Sequence, residues 1–425
     1  MLIVLTAINV CNAMDRTLIS VLLPNIKNEL HISDSQIGFL TGAAFALFYA
    51  SLGLPLGWLA ERVNRTRLIS VALVTWSAMT AASGFATSFL ALMALRVGVA
   101  VGEAGGSPPS YGMIADSFAR TNRTFAMAVF TSAGAIGGFL ALFVGGWIDQ
   151  FWGWRVAFFA AGAFGLALLP FILLTVRDPQ RGHSDGNTGV QVQVTVRNAA
   201  ARLSSSRAFK HLVIGGTLSA FVVYSLAIWL PSFLSRSFAL KSGEIGTWLG
   251  LITLFTGLMG TFSGGELARR MGARNLAWWG WTPVIGFSIA GPATVLAIMS
   301  YDLYVCLAAL ALSHFGVCFY MGPLFASVGT IVPPGMRSIA SSALLFVQMI
   351  LGLGLGPLLT GMVSDAATKS FGVEALRYAL LLPTAAMVWA AFHYWMAART
   401  IGEESASAIG DAPYAPNVIQ KEQPA

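Results

Sequence analysis

The sequence predicts an all-α membrane protein, with twelve transmembrane helices in two pseudo-symmetric six-helix bundles, on three observations. First, 56% of the 425 residues are hydrophobic and only 10% are charged, whereas soluble domains carry about 25% charged residues. Mean hydropathy is +0.72, so most of the chain must face lipid. Second, apolar runs of about the 20 residues that cross a bilayer recur twelve times, each bounded by charge. Third, two short patterns recur between the first six runs and the last six, at offsets of 208 and 216 residues.

In order, the runs are 2–24, 36–60, 68–88, 89–117, 125–148, 154–176, 211–236, 244–268, 276–299, 302–330, 338–364 and 378–398. The 45 glycines are concentrated in them, as suits close helix–helix approach in lipid. Pro108-Pro109 is expected to bend the fourth run. The longest polar stretch, 177–210, holds six basic residues and separates an N-terminal bundle (1–176) from a C-terminal one (211–398). The polar tail, 399–425, is expected to be disordered. Gly57-Trp-Leu-Ala-Glu61-Arg62 after the second run is echoed by Gly265-Glu-Leu-Ala-Arg269-Arg270 after the eighth. Gly146-Trp-Ile-Asp149 in the fifth is echoed by Gly361-Met-Val-Ser-Asp365 in the eleventh. Parallel six-helix repeats of this kind place a solute site near the midplane.

Charge sets the orientation. Seventeen of the 25 Lys and Arg residues fall on the side of the two termini, six on the opposite side, and Arg16 and Arg96 inside spans. Both termini, the linker and the tail are therefore expected to be cytoplasmic. The net charge of +7 does not indicate nucleic acid, because the basic residues sit in short loops and form no basic face with interleaved aromatics. Cys11, Cys306 and Cys318 all lie in apolar stretches without CxxC spacing, which points to packed thiols. No metal or cofactor is expected. A membrane-embedded enzyme would need a nucleophile–base set or a metal cluster, and no HExxH occurs around the five histidines. A non-transporting sensor would carry a folded soluble domain, which neither the linker nor the tail can supply.

The residues that carry chemistry are charges inside the bilayer. Each costs about 2.5–3.5 kcal/mol to insert, so Asp15, Arg16, Arg96 and Glu103 together oppose insertion by about 10–14 kcal/mol unless they pair or face water. Asn9, Asn12, Asp15 and Arg16 form one polar stripe on the first helix. On the fourth, Arg96 and Glu103 lie two turns apart, and Ser107, Ser110 and Tyr111 continue that side. Burial favours the neutral carboxyl and a neighbouring arginine favours the ionised one. A cavity that opens and closes therefore allows Asp15 or Glu103 to bind and release a proton in each cycle. Arg16 and Arg96 can then hold a substrate carboxylate or phosphate, with Asn12 and Tyr111 as further binding residues. The competing reading is a static network that locks two helices together. Near the inner membrane face, Glu61, Arg62 and Arg65 can pair with Asp116 to hold a cytoplasmic gate.

Weaker candidates are His314, read as hydrogen-bonded packing, and Tyr49, Tyr224, Trp229, Tyr320 and Gln348, read as possible cavity lining. Gly352-Leu-Gly354-Leu-Gly356-Pro357 has no strand before it and reads as helix packing rather than a phosphate loop.

Gly57-Trp-Leu-Ala-Glu61-Arg62-Val-Asn64-Arg65-Thr-Arg67 resembles the signature loop of the major facilitator superfamily, with Glu61 for the usual Asp and Asn64 for the usual Gly. The Gly position is one that favours positive φ. Met14-Asp15-Arg16, Arg96-Val-Gly98 through Gly102-Glu103-Ala104, Asp116-Ser-Phe118, Gly153-Trp154-Arg155 and Val176-Arg177-Asp178-Pro179 are similar to the Spinster branch. In the C-terminal half, Trp229-Leu-Pro231-Ser-Phe233-Leu is similar more loosely. The resemblance implies the major facilitator fold and a secondary transporter working by alternating access. It further implies proton coupling at Asp15 and a polar cavity centre made by Arg96 and Glu103. Spinster-like proteins of animals are thought to move lysophospholipids or sphingoid phosphates, so an anionic amphiphile is the expected substrate. A proton-coupled importer of sugar acids or aromatic acids is the alternative. The expected setting is a bacterial inner membrane, with the transporter working as a monomer.

Overall fold

The computed structural model describes residues 1–60, 62–180, 196–333 and 336–410. Ten helical stretches among them are long and apolar enough to cross a membrane; one of these, Ile339–Ser405, holds two successive spans, and Arg65–Ser83, less apolar, brings the bundle helices to twelve. Spans one to six are Leu2–Leu30, Asp34–Ala60, Arg65–Ser83, Phe89–Ser117, Arg120–Trp152 and Trp154–Thr175. Spans seven to ten are Arg207–Phe238, Ser242–Gly272, Trp278–Met299 and Leu303–Thr330. Span eleven runs over 337–371, and span twelve is Leu381–Gly410.

Local chemistry sets the ends. Ser88, Ser206 and Asp302 each accept a backbone N–H of the first turn of spans four, seven and ten, which satisfies donors the helix cannot. His31 and Ala239 close spans one and seven in the left-handed conformation. Asn64 corrects one expectation. Its φ is −65°, not positive, and its side chain accepts from the Arg67 N–H at 2.9 Å. Asparagine stands there because it caps span three, not because the turn demands a glycine-like backbone. Span four divides into Phe89–Glu103 and Ser107–Ser117 around Gly105 and Gly106, with the prolines in the first turn of the second piece. Within the linker a short helix covers Val196–Ser205, and residues 181–195 and 411–425 lie outside the described residues.

Large apolar side chains point outward along the whole barrel of helices, among them Leu174, Phe85, Phe262 and Val388, each more than 70% exposed. That is the distribution lipid selects. One core cluster joins both bundles through Leu18, Leu22, Leu142, Leu226, Trp229 and Leu249. A second is built by the N-terminal bundle with Leu353 of span eleven.

The two halves meet most closely on the side away from the termini. A Cβ on Gly146 of span five would lie 2.4 Å from the carbonyl oxygen of Ser242, at the start of span eight. A Cβ on Gly361 of span eleven would lie 2.3 Å from the carbonyl oxygen of Asp34, at the start of span two. The repeat seen in the sequence thus does the same steric work twice, once from each half. Toward the termini, Gly57, Gly265 and Gly329 have nothing within 4 Å of an added Cβ. Spans two and eleven cross near the middle, and each carries a wide π turn there, Phe39–Ala44 and Gln348–Leu353. Gly352 and Gly356 of span eleven pack against Ala220 and Phe221 of span seven, as the helix-packing reading expects.

Candidate functional site

The intramembrane charges converge. Asp15 is 1% exposed, Arg96 4% and Glu103 0%, while the Arg16 side chain is 28% exposed. Arg16 Nε donates to Glu103 Oε2 at 2.6 Å, tying span one to span four. The Arg16 guanidinium lies 4.4 Å from the Tyr49 ring centroid and 5.6 Å from that of Phe45, a cation–π arrangement that lowers the cost of a desolvated charge. Arg96 is not paired to a carboxylate. Its Nη2 donates to the Asp15 carbonyl oxygen at 3.4 Å, and its guanidinium sits 5.9 Å from the Phe45 ring.

The set is only half satisfied. Both Asp15 carboxylate oxygens, Arg96 Nη1, Glu103 Oε1 and Asn12 Nδ2 are buried without a hydrogen bond of standard geometry, with Thr80 beside Asp15 and Asn12 beside Glu103. Leaving such groups unpaired costs about 1–3 kcal/mol each, more when charged. A network that merely locked two helices would be better paired. This one keeps three acceptors and two donors short of full hydrogen bonds.

Arg16 and Arg96 line a cavity of about 140 Å³ between the bundles. Thr17, Ile19, Ser20, Thr41 and Phe45 complete its N-terminal wall, and Val223, Tyr224, Ala227, Ile228 and Leu353 form the opposite one. One wall carries both cations and three hydroxyls beside Ile19 and Phe45. The other is apolar apart from one phenol. The sequence signalled the arginines and Tyr224, but the aliphatic wall gave no signal, because on a membrane helix it reads like any lipid-facing or packed residue.

Other candidates fall elsewhere. Asn12 lines a small cleft with Asn9, Trp76, Ser107 and Ser110, and Tyr111 is 43% exposed with its ring edge-on to Phe130 at 5.0 Å. Neither lines the central cavity. Trp229 donates to the Pro357 carbonyl at 3.0 Å, and His314 Nδ1 lies 3.0 Å from Thr256 Oγ1, so both act in packing. Tyr320 and Gln348 are buried, the latter in the π turn of span eleven.

At the terminal side, Arg65 is 5% exposed and pairs through Nη1 with Asp116 at 2.6 Å and through Nε with Asp178 at 2.8 Å. Its backbone N–H also donates to Asp178 at 2.8 Å and its Nη2 to the Pro179 carbonyl at 2.8 Å. Arg62 stacks on Trp58 at 3.5 Å, and Glu61 lies outside the described residues. The cluster binds spans three and four and the segment after span six, all in one bundle.

A second network was not legible. Asp34, 1% exposed, accepts from Arg236 Nη1 and Nη2 at 2.7 and 2.6 Å, from Ser364 Oγ at 2.6 Å and from Lys27. Asp365 in turn accepts the Asp34 and Ser35 N–H groups at 3.0 and 2.7 Å. From sequence these were loop charges. In the structure they fasten one bundle to the other.

Two six-helix bundles around a charged midplane cavity, sealed at one end, define a membrane transport protein for small molecules. The sequence matches the family model described as Major Facilitator Superfamily over residues 5–357, and the chain belongs to that superfamily. It is 34% identical over 95% of its length, and 94% of the other's, to an "MFS-type efflux pump" of Mycolicibacterium smegmatis. It is 29% identical to "Protein spinster homolog 3" of Danio rerio, covering 89% of this chain and 80% of that one. Among solved structures it resembles a bacterial homolog of the human lysosomal transporter Spinster in an inward-facing, unoccupied conformation. The TM-score is 0.87 at 30% identity, with 95% and 97% of the chains covered. It is thus a Spinster-like multi-pass transporter.

Proposed function

We propose that the protein is a proton-coupled exporter of an anionic amphiphile, working by alternating access in the inner membrane of a bacterium with both termini cytoplasmic. The observation that carries this reading is the two-faced cavity: Arg16 and Arg96 on one wall, aliphatic residues on the other. A phosphate or carboxylate headgroup takes the arginines, in bidentate fashion at the free face of Arg96, while an alkyl chain lies against Val223, Ala227, Ile228 and Leu353. A small sugar acid would leave that second wall unused. Outward transport is supported by the efflux activity named for the mycobacterial relative.

Proton coupling rests on Asp15. Its carboxylate is met by no cation's hydrogen bond, since Arg96 touches only its backbone and its near side-chain neighbour is the neutral Thr80, so a proton and an anionic substrate can compete for the same electrostatic field. Glu103, already held by Arg16, serves as the fixed member. The Arg65–Asp116–Asp178 cluster, with Arg62 and Glu61, acts as the cytoplasmic gate. The bundles 1–176 and 211–398 act as the two moving bodies, and the molecule works as a monomer.

The test is ligand-induced thermal stabilisation of the purified protein, since a ligand bound only by the folded state raises its melting temperature. Lysophospholipids and sphingoid phosphates are compared with small organic acids. Stabilisation by the amphiphiles and its loss in Arg96→Ala are expected, with a neutral analogue unaffected by the substitution. Stabilisation by small acids alone would overturn the substrate class, and equal loss for charged and neutral ligands would make Arg96 structural.

A further inference from the structure

The repeated motifs place two acids at matching corners of the sealed side, and the two are served unequally. Asp365 accepts from the Asp34 N–H at 3.0 Å, the Ser35 N–H at 2.7 Å and Ser35 Oγ at 2.5 Å. Asp149, only 3% exposed, accepts from Asn25 Nδ2 to Oδ2 at 2.7 Å and has the Ser242 hydroxyl beside it, while its Oδ1 makes no hydrogen bond of standard geometry among the described residues. Asp149 lines a polar cavity of about 290 Å³ where spans one and five of one bundle face spans seven and eight of the other. Asn25, Gln150, Ser235 and Ser242 share that lining, with the exposed Lys241 at its rim.

Among the described residues Asp149 makes no ion pair, and the one cation that lines the cavity, Lys241, is exposed at its rim. Lys27 and Arg236 are engaged with Asp34, Glu29 is held by Trp154 and Arg155, and Glu244 accepts from the Lys241 backbone N–H. A buried, unpaired carboxylate is costly. The lining adds the Ser235 and Ser242 hydroxyls and the Gln150 side-chain oxygen, which also accepts from the Gly243 N–H at 3.0 Å, and oxygen donors of this kind suit hard cations. One carboxylate balances one positive charge, so a divalent ion would leave an excess.

We infer that this cavity is a monovalent-cation site, filled when the two bundles are closed over it. The positive charge is either a proton on Asp149 Oδ1 or an alkali ion shared among the oxygens. Because the walls belong to different bundles, opening this side pulls the donor set apart and releases the ion to water. The site is remote from the central cavity, and its existence does not depend on which substrate that cavity takes.

The experiment uses the purified full chain without substrate and reads melting temperature in two series. One titrates lithium, sodium and potassium chloride against N-methyl-D-glucamine chloride at pH 8.5 and constant ionic strength. The other varies pH in N-methyl-D-glucamine alone. A saturable rise with one alkali ion, absent in Asp149→Asn and shifted to higher concentration in Ser242→Ala and Gln150→Ala, identifies an alkali-ion site. No alkali response, with Asp149→Asn as stable at pH 8.5 as wild type is in acid, identifies a proton site. In that case Asn25→Leu, which removes a donor to the carboxylate, moves the acid response to higher pH. Parallel curves for wild type and Asp149→Asn in both series overturn the inference. Should Asp149→Asn not fold, unshifted curves for Ser242→Ala, Gln150→Ala and Asn25→Leu overturn it equally.

Discussion

Arg236→Ala should unfasten the sealed side. Arg236 makes two hydrogen bonds to Asp34, at 2.6 and 2.7 Å, and links span seven to span two across the bundles. Truncating one partner of a buried charged pair costs about 2–5 kcal/mol. Lys27 and Ser364 Oγ still reach Asp34, so the lower part of that range applies, about 2–3 kcal/mol. If the lost contact exists only in the closed state, the whole amount shifts the conformational equilibrium. At 1.4 kcal/mol per factor of ten, the open-to-closed ratio rises about 30- to 150-fold. Spin labels at Phe151 and Lys369, exposed at the ends of spans five and eleven, report this as a longer inter-label distance in pulsed electron resonance. Cys11, Cys306 and Cys318 are first replaced. Arg236→Lys should fall between wild type and Ala, because it keeps the charge but not the forked geometry. Superimposable distance distributions for all three would refute the assignment of Asp34–Arg236 as a latch.

Other substitutions probe separate links. Asp15→Asn should abolish proton-driven transport in proteoliposomes while leaving substrate binding and counterflow; undiminished gradient-driven transport would remove Asp15 from the coupling step. Gly361→Ala puts a Cβ 2.3 Å from the Asp34 carbonyl oxygen, an overpacking of about 1–3 kcal/mol, and should lengthen the same label distance as Arg236→Ala. Asn64→Ala should cost about 1 kcal/mol of stability and Asn64→Gly only a few tenths, the pattern of an N-cap; a larger loss with Gly than with Ala in denaturation curves would contradict the capping role.

The fold was legible because a bilayer imposes its own arithmetic: apolar length counts the helices and paired repeats give the bundles. The charged centre was legible for a related reason, since Asp15, Arg16, Arg96 and Glu103 are each too costly inside lipid to be incidental. Pairing was not. Arg96 and Glu103 share a face of span four, yet Glu103 turns to Arg16 on span one, and no helical spacing encodes a partner on another helix. Asp34, Lys27 and Arg236 lie in or beside loops, where a charge has an innocent explanation, so their convergence needed the third dimension. Asp178 was visible as a family-like residue but not as the second acid on Arg65. The aliphatic wall at Val223, Ala227 and Ile228 stayed hidden because lipid, packing and substrate all select the same side chains.

The π turns at Phe39–Ala44 and Gln348–Leu353 have a consequence for how these spans tolerate change in length. Each wide turn accommodates one residue more than an α turn, so the helix beyond it is rotated by about 100° relative to an uninterrupted one. Deleting a single residue within 39–44 would let span two run as a regular α-helix with all its backbone hydrogen bonds. It would also swing Asp34 about 100° around the helix axis, away from Arg236 and Ser364. In this pair of crossing helices, the shortest route to a more regular backbone is also the shortest route to losing the seal.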